Sequence, residues 1–190
     1  MLELGTWLEV AKSAALKGGK HLLKNQGKEL KVLLNQGRDI KLQLDTDTEH
    51  LIKKSLSSQS AFSILGEETG FSDDVGEFYW VVDPLDGTSN FLRDIPISCV
   101  SIALMQNKTP ILGVIYDFNH DDLYYGHLES KAFVNQMEIA VSNYAKKSES
   151  TLVTGIPAKT NYSDNEFKQM IADFQQWKKV RMIGSAAMAS

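Results

Sequence analysis

Residues 77–96 read EFYWVVDPLDGTSNFLRDIP, and the fold is decided there. Phe78 to Val82 is an uninterrupted apolar run rich in β-formers, which predicts a buried strand. Proline and glycine break it at once, with two carboxylates and a hydroxyl set between them: Asp83, Pro84, Leu85, Asp86, Gly87, Thr88. Pro84 cannot continue a central strand, and Gly87 reaches backbone conformations closed to other residues, so Asp83 and Asp86 are expected on one tight turn. Two carboxylates held close together repel unless a cation lies between them, and an oxygen-seeking ion such as Mg2+ is the natural candidate.

The rest of the composition sets bounds on that reading. The chain has 190 residues, 43% of them hydrophobic, enough for a real core in one domain or a domain and a fraction. Twenty basic and 24 acidic residues leave a net charge of −4, which gives no sign of a nucleic-acid or membrane surface. No stretch approaches ~18 uninterrupted apolar residues and the N-terminus carries charge throughout, so neither a membrane span nor a signal peptide is expected. Cys99 is the only cysteine and lies in an apolar run, where it reads as a small buried hydrophobe; an intramolecular disulfide is excluded and a cytoplasmic location is expected.

In chain order, Leu4, Trp7, Leu8, Ala11, Ala14, Ala15, Leu22 and Leu23 recur at helical spacing, predicting an amphipathic helix from Leu2 to about Asn25. Its Gly18-Gly19 pair implies either a bend or another element packed very close. Leu30 to Leu34 and Ile40 to Leu44 read as extended pieces around a polar turn at Gly37, followed by a second helix starting near Asp45-Thr46-Asp47 and running to about Ser58. Ala61 to Leu65 reads as a strand ending in Gly66-Glu67-Glu68-Thr69-Gly70. After a polar turn at Ser72 to Gly76, the strands Phe78–Val82, Ser98–Met105, Ile111–Tyr116 and Leu123–Tyr125 follow one another through short links, which predicts an antiparallel meander. A hairpin over 132–141 around Asn135-Gln136, a strand at Thr151–Thr154, a helix from Ser163 to Trp177, a strand at Val180–Met182 and a helix opening at Gly184 complete the pattern.

Asp-Pro-Leu-Asp-Gly alone is also what a plain surface turn is made of. The set points to a site: Asp47 at a helix start, Gly66-Glu67-Glu68 after one strand, and Asp83 to Thr88 after the next. These motifs, with WVVDPLDGTSNF at 80–91, IPISCVSIAL at 95–104 and Gly184-Ser185-Ala186-Ala187, resemble the inositol monophosphatase family of metal-dependent, lithium-sensitive phosphatases. The resemblance implies an α/β (α+β) fold: a layered αβαβα sandwich with a largely antiparallel sheet. The first layer, with the metal site, would occupy residues 1–150, and an incomplete second αβ layer residues 151–190. It implies that Glu67, Asp83 and the Leu85 carbonyl hold one Mg2+, that Asp83 bridges to a second held also by Asp86, and that Asp47 and Thr88 form the pair activating water. It further implies that Asp86, the backbone of Gly87 and Thr88, and Ser185 and Ala186 contact a small phosphorylated substrate, and that the protein is a homodimer. Glu68 reads as a supporting carboxylate, and His21, His50, His120 and His127, scattered without ligand spacing, as surface residues. Asp73-Asp74 and Asp121-Asp122 read as solvated turns, and Arg93 and Asp94 as a loop cap.

Three departures from the family pattern stand out. Leu44 occupies a position where a threonine is usual. Lys131 and Gln136 replace hairpin glycines, predicting an altered loop around Asn135. The 190 residues hold no counterpart of the family's Trp-Asp motif, whose aspartate completes the second metal site, or of an acidic residue that contacts the substrate alcohol, so they are expected to be either a fragment of a longer protein or a natural truncation. The expected activity is Mg2+-dependent hydrolysis of a phosphate monoester, with inositol monophosphate as default. A 3′(2′),5′-bisphosphate nucleotide or sugar phosphate is the alternative substrate, and a truncated non-catalytic binding or dimerisation module the alternative from another class.

Overall fold

The computed structural model describes residues 3–36, 39–72, 75–156 and 161–190. The turn expected at Gly37 and the acidic pair Asp73-Asp74 lie outside them. Helix α1 (Leu4–Asn25) and helix α2 (Gln43–Ser57) pack together over one face of an eight-stranded sheet. The short pair β1 (Val32–Gln36) and β2 (Asp39–Leu42) links them. The large sheet comprises β3 (Ser63–Gly66), β4 (Gly70–Phe71), β5 (Phe78–Asp86), β6 (Cys99–Gln106), β7 (Thr109–Asp117), β8 (Asp122–His127), β9 (Ala132–Val134) and β10 (Met137–Ile139), in the order β10-β9-β8-β7-β6-β5-β3-β4. A one-turn helix, α3 (Thr88–Phe91), follows β5. Strand β11 (Thr151–Thr154) pairs in parallel with β12 (Lys179–Met182) in a separate sheet, joined through helix α4 (Asp164–Phe174), and a 3-10 turn closes the chain at Ala187–Ala189.

The meander is as expected: β5 through β10 pair antiparallel in sequence order. The exception that matters is β3, which runs parallel to β5 with Gly66 opposite Val82 as its last pair. Alternation sorts the sheet by face. Trp80 and Val82 of β5, Val100, Ile102 and Leu104 of β6, and Leu112, Val114 and Tyr116 of β7 are buried under the helices. Tyr79, Val81, Ser101, Ala103 and Ile115 point to the other face and are only half-buried.

Close packing, not a bend, explains Gly18-Gly19, since α1 continues unbroken through both. A Cβ at Gly18 would meet Ile52 Cδ1 at 2.8 Å, and one at Gly19 would overlap the Tyr116 ring and sit 2.9 Å from Phe118 Cβ. The two glycines therefore let α1 lie against α2 and β7 at once. The hairpin lacking glycines also forms. Asn135 takes the left-handed conformation (φ 55°) and its side chain bridges strands, accepting from the Leu123 N–H at 3.0 Å and donating to Asp122 Oδ1 at 3.0 Å.

Candidate active site

The site sits where parallel β3 and β5 end. Because Gly66 pairs with Val82, the next residues out, Glu67 and Asp83, become neighbours, and the Glu67 N–H extends the ladder to the Val82 carbonyl at 3.0 Å. A period of two would put Asp83 and Asp86 on opposite faces of β5. The pairing with β6 instead shifts by one residue between them, Asp83 lying opposite Ser101 and Asp86 opposite Cys99. That bulge turns both carboxylates to the face away from the helices. Pro84, with no N–H to lose, falls inside the bulge.

Three groups press on Asp83. The Leu85 N–H donates to its Oδ1 at 3.1 Å and favours the charged form, but burial, the charge of Glu67 with a hydrogen bond to it, and Asp86 outweigh that donor. The Asp83 carboxyl is pushed up to about 9, so at neutral pH it holds a proton next to Glu67. A carboxyl pair in this condition favours either a shared proton or a divalent cation, and its hard oxygens, with the nearby Leu85 carbonyl, match Mg2+. Among the described residues no three acidic, imidazole or thiol groups converge as a ready-made cage.

Asp86 is engaged elsewhere. Its Oδ2 accepts from the Ser185 hydroxyl at 2.6 Å and the Ala187 N–H at 2.7 Å, and its Oδ1 from the Ala186 N–H at 3.1 Å. Ser185 is buried, so the substrate contact expected there is at present a contact to Asp86. Burial, with the Asp86 charge beside it, pushes the pKa of the Cys99 thiol far up and holds it as the unreactive protonated thiol.

Gly87 turns the chain with φ +93°, and a Cβ there would stand 2.8 Å from the Ile97 carbonyl oxygen. The Thr88 hydroxyl donates to the Leu85 carbonyl at 3.1 Å and opens α3, which lies against β2. Two hydrogens of the Asn90 amide reach the carbonyls of Ile97 at 2.8 Å and Ile183 at 2.7 Å, stapling the turn to the loop that carries Ser185. Beside Asp86 and Ser89 a cleft of about 780 Å³ opens toward Val153, Ile156 and Ala186.

The expected base, Asp47, is exposed and its Oδ1 accepts from Gln43 Nε2 at 2.9 Å. The helix begins two residues before the predicted cap, at Gln43. This brings Asp45 into its first turn, 1% exposed, with Oδ2 accepting from the Leu42 N–H at 2.9 Å. One turn on, Glu49 is fully buried. Among these polar groups, buried Asp45 and Glu49 and half-buried Asn90 are not singled out as site candidates by the sequence. The spacing of Asp45 and Glu49 on one helix face was the available signal.

Elsewhere the residues stay outside the site. His120 pairs with buried Asp117 at 2.7 Å within a β-turn, and Arg93 donates to the Ser89 carbonyl at 2.9 Å as a cap. Among the described residues no helix is long and apolar enough to cross a membrane.

The chain is similar to known proteins over nearly its whole length. The sequence profile of the Inositol monophosphatase family matches residues 3–190. A fructose-1,6-bisphosphatase/inositol-1-monophosphatase of Aquifex aeolicus is 33% identical over 99% of this chain and 73% of its own length. An inositol-1-monophosphatase of Synechocystis is 34% identical over 98% of this chain and 66% of its own. The crystal structure of the extragenic suppressor protein suhB of Bartonella henselae superposes with a TM-score of 0.86 at 30% identity, covering 97% of this chain and 72% of that one. The chain thus spans about two thirds to three quarters of the length of these proteins.

Proposed function

The chain belongs to the inositol monophosphatase family, and from that premise we propose that it is a Mg2+-dependent phosphomonoesterase acting on a small phosphate monoester. The observation that carries this reading is the Glu67–Asp83 pair at the ends of two parallel strands, where burial and the neighbouring carboxylates push the Asp83 carboxyl up. Glu67, Asp83 and the Leu85 carbonyl would hold one cation. When bound, Mg2+ supplies the positive charge that acidifies an attacking water and stabilises the phosphoryl oxygens. A second ion, assigned by resemblance to Asp83 and Asp86, would share Asp86 with the 185–187 turn. Of its oxygens, Oδ1 accepts a single N–H and keeps the larger free capacity.

The chain's own residues divide the remaining work. Thr88, anchored at the Leu85 carbonyl, would orient the attacking water. Burial of Asp45 and exposure of Asp47 favour Asp45, over Asp47, as the carboxylate that takes the proton from this pair. The Gly87 and Thr88 N–H groups would hold the phosphate. The cleft beside Asp86, with Ser185 and Ala186 on its wall, receives the alcohol portion.

An inositol phosphate is the first substrate to test, because the Synechocystis relative carries that activity in its name. The Aquifex relative's name favours a sugar bisphosphate as the second. Initial rates of phosphate release from inositol 1-phosphate, fructose 1,6-bisphosphate and a 3′,5′-bisphosphate nucleotide, each across a Mg2+ series with and without Li+, rank these substrates. Release from none at any Mg2+ concentration would overturn the enzymatic reading in favour of a binding module.

A further inference from the structure

Helix α2 carries a carboxylate that the proposed reaction does not use. Glu49 is 0% exposed. A buried carboxylate costs several kcal/mol unless fully partnered, so its partners indicate what it is for. They all come from the turn that follows β3: the Glu68 N–H at 2.7 Å, the Thr69 N–H at 3.2 Å, and the Thr69 hydroxyl. Lys53, one helical turn along, balances the charge at 3.2 Å and also donates to the Gly70 carbonyl at 3.0 Å. The approach is so close that a Cβ on Gly66 would overlap the Glu49 carboxyl itself.

Glu67 sits in the middle of this arrangement. Its own N–H is fixed to the Val82 carbonyl at 3.0 Å, and the next two N–H groups converge on Glu49. The backbone on both sides of Glu67 is therefore tied down, one side by the sheet and the other by a buried anion. We infer that Glu49 is a positioning residue that aims Glu67 at Asp83 and so sets the affinity of the site for its divalent cation, with Gly66 required as the space in which the carboxyl lies. The inference rests on the reading of Glu67 and Asp83 as cation ligands. Groups that orient metal ligands in this way typically change metal affinity or activity ten- to a hundredfold when altered.

Calorimetric titration of Mg2+ into the wild-type chain and the variants Glu49→Gln, Gly66→Ala and Ile52→Ala provides the test, with hydrogen exchange of residues 67–70 recorded on the metal-free proteins. Ile52 lies on the same helix, is fully buried and packs against Gly18 of α1, so its truncation serves as the control for loss of stability. The expected result is a loss of Mg2+ affinity of about tenfold or more in Glu49→Gln and Gly66→Ala. Amide exchange should quicken at 67–70 in both, and Ile52→Ala should keep wild-type affinity. Gly66→Ala disturbs the contact from the other side and keeps the question open to measurement if Glu49→Gln does not fold. Folded Glu49→Gln or Gly66→Ala protein with wild-type Mg2+ affinity would overturn the inference, as would an equal loss in Ile52→Ala. A wild-type chain that binds no Mg2+ would overturn the cation reading, and this inference with it.

Discussion

The hydroxyl of Ser185 donates to Oδ2 of Asp86 at 2.6 Å, joining residues 99 positions apart. With the Ala186 and Ala187 N–H groups on the same carboxylate, this contact fastens the end of the chain to the β5 turn. Hydrogen bonds to charged groups contribute about 1.5–3 kcal/mol each. Ser185→Ala should therefore lower stability by about 2 kcal/mol in urea unfolding. Asn90→Ala, which removes the bonds to Ile97 and Ile183, should cost a similar amount.

Gly87→Ala should be among the most damaging single-methyl additions in the chain. It combines an unfavourable φ of +93° with a Cβ 2.8 Å from the Ile97 carbonyl oxygen. The left-handed backbone alone costs about 1–2 kcal/mol, and the crowding adds to it. Thermal unfolding should show the loss.

Two glycines of α1 should respond in opposite directions. Nothing lies within 4 Å of a Cβ at Gly5, so Gly5→Ala should gain up to about 1 kcal/mol from helix propensity. Gly19→Ala drives a methyl into the Tyr116 ring and should lose about 1–3 kcal/mol. Unfolding midpoints of the pair check the close packing of α1 on β7.

Much of this architecture is legible in the sequence because local chemistry and tertiary context agree there. Strands β9 and β11 and the Ser163 cap of α4 fall where turn and capping residues place them. Pro84 and Gly87 signal an interruption, but the tight turn expected for Asp83 and Asp86 is a bulge: β5 continues through Pro84 to Asp86, and the chain turns only at Gly87. The start of α2 is harder to place, because Leu42 and Gln43 look extended while the helix already begins at Gln43; Asp47 consequently stands out in the sequence and Asp45 does not. Glu49 is hard to read in another way: beyond its spacing from Asp45, an acidic residue between Thr48 and His50 on a helix reads as solvent-facing, and the close approach of the 66–69 turn is what buries it. The Asp86–Ser185 contact spans too much sequence for any local pattern to signal it.

The raised carboxyl of Asp83 has a definite pH signature. Pushed up to about 9, it lies well above the ordinary carboxylate value of 3.8, so between those values the folded metal-free protein holds a proton that the unfolded chain has released. The stabilising effect of that proton is complete below the unfolded value and is lost progressively as pH rises toward 9. In metal-free protein the stability of Asp83→Asn relative to wild type should therefore increase from pH 5 to pH 9. Mg2+ should release close to one proton on binding at pH 7, measurable as buffer-dependent heats.

Phosphate release by wild-type and Asp83→Asn protein across a Mg2+ titration decides whether Asp83 holds the cation on which phosphate-ester hydrolysis depends. Wild-type protein should show saturable Mg2+-dependent release, and Asp83→Asn a rate at least about a hundredfold lower at every Mg2+ concentration. Release that is indifferent to Mg2+, or equal in the two proteins, would contradict it.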